Sequence, residues 1–357
     1  MRMPVLAVVA GALLGAFAVP GLAQEPPSPC AEGDRPCFLE ALRSQPARHR
    51  AFWQETLARP VAERLGPAPA RLVEYIRLDN LANGFPEKPR ASVLAADFLA
   101  DVRGAIADLP PEVRRVFDAS FAGVWFVDDL GGTGYTDFFV DEAGRPAGGF
   151  VVLDAAVLGR FTANAWATWK ESSPFRPDAA WKLEARIERS GEDDRRGAIR
   201  YILLHELGHV LSINRGIHPR WDQEPKSATG EEAGYPFFAL SWTVDRAGNR
   251  YASRFDRKFP LRRSVVYYLG AKLAARDMPG AYASLARTNF PTLYAATSPG
   301  DDFAESFASY VHTVLLKRPW EVAILRDGVP VRRYRTCWQE ARCAAKRRLL
   351  EALLSPP

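Results

Sequence analysis

Apolar residues recur at three- and four-residue spacing over residues 38–65, 70–82 and 95–117, a periodicity that predicts helices. Pro60, Pro67, Pro69 and the Pro110-Pro111 pair interrupt it, and Asn83-Gly84-Phe85-Pro86 predicts a turn. The pattern then shifts to short runs rich in Val, Phe and Trp at 123–129, 149–154 and 181–188, which predict strands. Helical spacing returns over 194–212 and again over 298–316. Residues 322–331 predict a hairpin turning at Asp327-Gly328, and 344–354 a basic amphipathic helix. Helices first, strands in the middle and two well-marked helices after them predict an α+β fold. The expected divisions are a leader over 1–23, a mainly helical N-terminal region over 24–120, a mixed domain over 121–318, and a C-terminal hairpin and helix over 319–357.

In the leader, Arg2 precedes an apolar run over 5–19, and Gly21-Leu22-Ala23 stands before Gln24, the layout of a secretory signal cleaved near Ala23. No other stretch is apolar enough to span a bilayer, so the mature chain is expected in the periplasm or secreted, with no membrane span after signal removal. The 357 residues, 47% apolar and 25% charged, have the composition of a globular protein. The net charge of +5 loses only Arg2 with the leader, 5 − 1 = 4, too mild a balance to predict a nucleic-acid partner. Positive charge concentrates in the tail, at Arg332, Arg333, Arg335, Arg342, Lys346, Arg347 and Arg348. That predicts a solvated basic face, with weak contact to an anionic envelope surface as the alternative.

The four cysteines suit an oxidising compartment and lack zinc-type spacing. Local pairs Cys30–Cys37 and Cys337–Cys343 are expected, with a link between the termini as the alternative. A Cys337–Cys343 bridge requires the intervening residues to leave a continuous helix, since six helical residues rise about 9 Å.

The candidate chemistry lies inside the 194–212 helix, at His205-Glu206-Leu207-Gly208-His209. Histidines four apart on a helix differ by about 40° in azimuth and about 6 Å in rise, so both rings face one point. That suits two ligands of a tetrahedral Zn²⁺, with Glu206 beside them to accept a proton from water. Three ionisable groups in so apolar a helix are costly unless paired or metal-bound. Gly208 admits another chain segment close to the site. Strands ahead of such a helix predict a sheet whose edge flanks the metal and could take up an extended peptide by strand addition. The run Gly131-Gly132-Thr133-Gly134 lacks the lysine of a phosphate loop and is expected to be a hairpin turn.

A third ligand must come from elsewhere. Metzincins would place glycine at 212 and histidine at 215, where this chain has Ser212 and Arg215. His218 precedes Pro219 in a predicted loop, and Glu231 and Glu232 fall in another. The 298–316 helix is the better source: Ser298 caps it, Pro299 fits its first turn, and Asp301 and Glu305 share one face. First-turn acids also complement a helix dipole, which accounts for Asp301 and Asp302 better than for Glu305. Periodicity alone lets either Asp301 or Glu305 reach the metal.

HELGH followed by Tyr294-Ala-Ala-Thr-Ser-Pro-Gly-Asp301-Asp-Phe-Ala-Glu305 resembles the gluzincin metallopeptidases, particularly their anthrax lethal factor-like branch. The resemblance covers the strands from about residue 123 and the two helices. It implies a zincin-like catalytic domain, with Asp301 at the ligand position, Glu305 behind a histidine, and Tyr294 stabilising the transition state. The chain departs from that family by carrying aspartate where glutamate is usual. The expected function is an exported zinc-dependent metallopeptidase acting on protein or peptide substrates, an endopeptidase rather than an exopeptidase. The alternative is a non-catalytic envelope binding protein with a structural zinc.

Overall fold

The computed structural model describes residues 29–117, 120–213 and 215–355, so the expected signal peptide lies outside the described residues. Its central sheet contains β1 (Leu65–Pro67), β2 (Arg90–Ala91), β3 (Phe121–Asp128), β4 (Gly134–Val140) and β5 (Pro146–Asp154), in the order β1-β3-β5-β4 with β2 also on β3. β3 is parallel to β1 and β5, whereas β4 runs antiparallel to β5.

Side chains of β3 and β5 alternate between two cores, as a pleated strand covered on both faces requires. Val124, Phe126, Val151 and Leu153 join the core of the helix Arg195–Ser212. Trp125, Val127, Phe150 and Val152 join a second core around Trp53, Leu72, Tyr75 and Ile76. The N-terminal region therefore covers one whole face of the sheet and contributes β1 and β2 to it. A second sheet pairs Val329–Arg335 with Glu321–Arg326 and that strand with Trp181–Arg186. The expected divisions near residues 120 and 318 thus both fall between strands that share a sheet.

Helices at Ala70–Asn83, Ala96–Ala107 and Ala344–Leu354 match the periodicity, and Asp327 and Gly328 turn the C-terminal hairpin at φ 51° and 79°. The helix expected over 38–65 is instead Arg35–Arg43 followed by short 3-10 turns and the brief helix Gln54–Leu57. Pro46 is the cause: it lacks an N–H and keeps Gln45 extended at ψ 140°. The Gly131–Gly134 stretch is not a hairpin turn, because β5 lies between the two strands it connects; the hairpin is β4–β5.

Crossing over leaves β4 at the sheet edge. Asp154 N–H donates to the Thr133 carbonyl at 3.1 Å, and the alternation it starts turns the main-chain groups of Gly134, Thr136 and Phe138 away from β5. Arg48 donates to the Phe138 carbonyl at 3.0 Å, and a bridge from His49 to Val140 closes that end.

Cys30–Cys37 and Cys337–Cys343 are bonded, with Cα–Cα separations of 5.8 and 5.7 Å, and there are no free cysteines among the described residues. The second bridge precedes the last helix, in a 3-10 turn at Ala341–Cys343. The basic tail is only partly a solvated face. Lys346 is fully buried against Asp302, and Arg342 donates to the Thr288 carbonyl at 2.7 Å. Asp302 is correspondingly a buried ion-pair partner rather than a simple dipole complement. No helix among the described residues is long and apolar enough to cross a membrane.

Candidate metal centre

The motif helix Arg195–Ser212 is capped by Asp194, whose carboxylate accepts from Gly197 N–H at 2.7 Å. Arg195 and Arg196 tether its first turn to Asp97, Asp101 and Asp108. The second helix, Pro299–Tyr310, starts at Ser298, whose hydroxyl accepts from Asp301 N–H at 3.1 Å. The two helices meet at Gly208, where a Cβ would stand 2.7 Å from the Ala304 Cα. Only glycine leaves room for that approach.

Three ligand-type atoms converge there. His205 Nε2 and His209 Nε2 are 3.2 Å apart, and Asp301 Oδ1 lies 3.9 and 3.8 Å from them. Ligands about 2.0–2.1 Å from a tetrahedral zinc sit about 3.3–3.4 Å from one another, so a small turn of the carboxylate completes the set. This is the one such group among the described residues. Ser298 Oγ donates to Asp301 Oδ2 at 2.7 Å, and Thr297 Oγ1 reaches the same oxygen at 2.9 Å, leaving Oδ1 towards the histidines.

Glu305 stands behind His205. Its Oε1 lies 3.0 Å from His205 Nδ1, so the ring carries its proton on Nδ1 and turns the Nε2 lone pair into the cluster. Thr292 Oγ1 donates to Glu305 Oε2 at 2.7 Å, and Lys170 Nζ to Oε1 at 2.8 Å. Burial opposes the Glu305 charge, but Lys170 and His205 outweigh it and hold the carboxyl below the usual carboxylate range. Burial likewise works against the Lys170 ammonium, and Glu305 with Glu171 overcomes it and raises its pKa.

Glu206 faces β4. Thr136 Oγ1 donates to its Oε2 at 2.7 Å, and a Cβ at Gly134 would fall 2.4 Å from its Oε1. Burial raises the Glu206 pKa, a direction that suits a group accepting a proton near neutrality. The Tyr294 ring stacks on His205, with centroids 5.3 Å apart and planes 19° from parallel, and Lys170 Nζ lies 4.6 Å from the Tyr294 ring centroid. The Tyr294 hydroxyl makes no hydrogen bond among the described residues. Burial pushes its pKa well above the usual value, so it remains a donor.

All six residues singled out from the sequence therefore surround one point, with His205, Glu206, His209 and Tyr294 lining a cavity of about 380 Å³. His218, set aside as a loop residue, borders the same cavity and is buried, its Nδ1 bonded to the Pro219 carbonyl at 2.8 Å. Glu232 bonds instead to the main chain of its own loop, at Gly230. Lys170, Thr136, Thr292 and Gly134 were not anticipated. The only trace of Lys170 is a charged pair, Lys170-Glu171, on a tryptophan-bearing helix, and nothing local marks it as buried.

No family model, curated protein or solved structure matches this chain.

Proposed function

We propose that this chain is an exported zinc-dependent endopeptidase of the gluzincin type, with the zincin-like arrangement of the lethal factor-like branch. One observation carries the reading: two imidazole nitrogens and a carboxylate oxygen converge within 3.9 Å beside a buried Glu206 held by Thr136. His205, His209 and Asp301 would hold the ion, and the nitrogen and oxygen donors are those that zinc takes in sites with an open position. When bound, zinc supplies Lewis acidity towards water and a peptide carbonyl.

The chain's own residues do the rest. Glu206 accepts the proton of the attacking water and delivers it to the leaving amine. The Tyr294 hydroxyl donates to the carbonyl oxygen as negative charge develops there. Glu305 fixes the ring and tautomer of His205. The outward main-chain groups of Gly134 and Thr136 offer an extended peptide a strand to pair with beside Glu206. Two disulfides fit an oxidising compartment outside the cytoplasm.

The test is chelation followed by zinc return, reading cleavage of an unfolded protein and melting temperature together. The proposal expects cleavage to vanish with zinc and to return with one equivalent. Lowered melting temperature with no cleavage in either state would leave a purely structural ion.

A further inference from the structure

Three cavities open in chain order along β4 and the bend that precedes it. Gly131 and Gly132 border one of about 680 Å³, residues 134–136 border the cavity of about 380 Å³ that holds the His–Asp cluster, and Phe138 borders a third of about 270 Å³. Among the described residues three aromatic residues are at least 36% exposed: Trp169 at 39%, Trp221 at 40% and Tyr268 at 36%. All three stand on this line. Trp169 and Tyr268 border the first cavity, and Trp221 borders the other two.

The rings are held in place rather than loose. Phe161 stacks behind Trp169 at 5.5 Å, Trp169 meets Tyr268 at 5.5 Å, and Tyr268 meets Tyr294 at 6.2 Å beside His205. At the opposite end Trp221 rests edge-on against Phe138 at 5.6 Å and His209 at 6.2 Å. Tyr268 keeps a φ of 65°, a conformation in which a bulky side chain is strained. Water-facing rings at both ends of a line through the cluster, one of them on a strained backbone, mark a binding surface.

We propose that the three cavities form one groove for an unfolded polypeptide stretch of about eight residues, with large apolar side chains seated at both ends. One end of the stretch lies against Trp169 and Tyr268, the other against Trp221. This rests on the peptidase reading and deepens it by naming Trp169, Tyr268 and Trp221 as the residues that select apolar side chains in the substrate. Residues 134–138 of β4 supply four strand steps of about 3.4 Å, or about 14 Å, and the bend at residues 131–133 carries the line on to the first cavity. The outward main-chain groups of Gly134 and Thr136 match the spacing of an extended peptide, which alone carries N–H and C=O in that alternation. His205 and Glu206 are each only 7% exposed at the floor of the groove, a depth that an extended chain reaches and a folded surface does not. With the cluster midway, the favoured apolar side chains lie about three residues to either side of the cleaved bond.

The test uses zinc-loaded full-length Glu206→Gln protein, so that binding is read without cleavage, and fluorescence anisotropy of labelled peptides. A decapeptide with leucine three residues to either side of its centre is compared with its central tetrapeptide and with a glycine-substituted decapeptide. The leucine decapeptide is expected to bind at least roughly tenfold tighter than either. Trp169→Ala and Trp221→Ala should each remove much of that advantage, as truncation of an aromatic anchor does. Equal binding of the three peptides, or an advantage untouched in both tryptophan variants, overturns the groove. If the advantage holds but the zinc-loaded wild type cleaves nothing, the catalytic reading fails and the groove stands.

Discussion

Gly208 and Ala304 hold the two site helices so close that a single methyl on Gly208 would stand 2.7 Å from the Ala304 Cα. At the proposed zinc site that contact would compensate for the aspartate at 301, whose side chain is one methylene shorter than glutamate. Gly208→Ala is expected to force the helices apart, costing about 1–3 kcal/mol of stability and weakening zinc binding with it. Asp301→Glu should weaken zinc binding in the wild type, and less so in the Gly208→Ala background, where the longer side chain spans the widened gap. Zinc competition titrations of the two single variants and the double variant measure this; strictly additive losses would refute the compensation.

Asp301 and Glu305 differ in what they touch, and removal should separate them. Asp301→Ala is expected to lose far more zinc affinity than Glu305→Ala, which should lose roughly 10–100-fold, as partners behind a ligand do. Metal competition at fixed pH decides the matter, and normal zinc affinity in Asp301→Ala would reverse the assignment.

Lys170 acts on the site through Glu305. Lys170→Met leaves two buried carboxylates, Glu305 and Glu171, without their cation, and losing one partner of such a network typically costs roughly 3–5 kcal/mol. Adding Glu305→Gln should recover part of that loss, and the double variant should bind zinc about as well as Glu305→Gln alone. Denaturant unfolding and zinc titration over the four proteins read both effects. Because the folded Glu305 pKa is depressed, its contribution is present above the ordinary carboxylate range and is lost only in stronger acid.

His312 makes the fold sensitive to milder acid. Burial pushes its pKa down to about 3, against the opposing bond from Nε2 to the Ile187 carbonyl at 2.7 Å. The unfolded chain then binds one more proton than the folded one between about pH 6.5 and about pH 3, so stability falls as pH drops through that window. The slope from this group is at most about 1.4 kcal/mol per pH unit. His312→Gln keeps a donor for the carbonyl and cannot titrate. Its melting temperature should fall less steeply than the wild type's between pH 6.5 and pH 4.5, and parallel curves would show that His312 is not the source.

What the sequence discloses is what short-range periodicity controls. The motif helix, the Ser298-capped helix and the Asp327-Gly328 turn are each specified by residues a few positions apart, so their pattern is readable. The β4 edge position is not, because it depends on β5 inserting between β3 and β4 rather than on either strand's composition. Lys170 is hidden for a related reason. A charged residue on a helix ordinarily faces water, and it takes Glu305, 135 residues away, beside Glu171 to make its burial tolerable. Gly134 is readable as a glycine but not as the space that Glu206 fills. The helix expected over 38–65 fails where Pro46 overrides an otherwise helical spacing.

The central claim, that Glu206 accepts the proton of a water activated at a zinc held by His205, His209 and Asp301, is tested most directly by Glu206→Gln. The variant keeps the three ligand atoms and an amide that can still accept from Thr136. It should bind one equivalent of zinc with wild-type affinity and melt like the wild type, while the rate of peptide cleavage falls by about 10²–10⁴. Full cleavage by a zinc-loaded Gln variant would contradict the account.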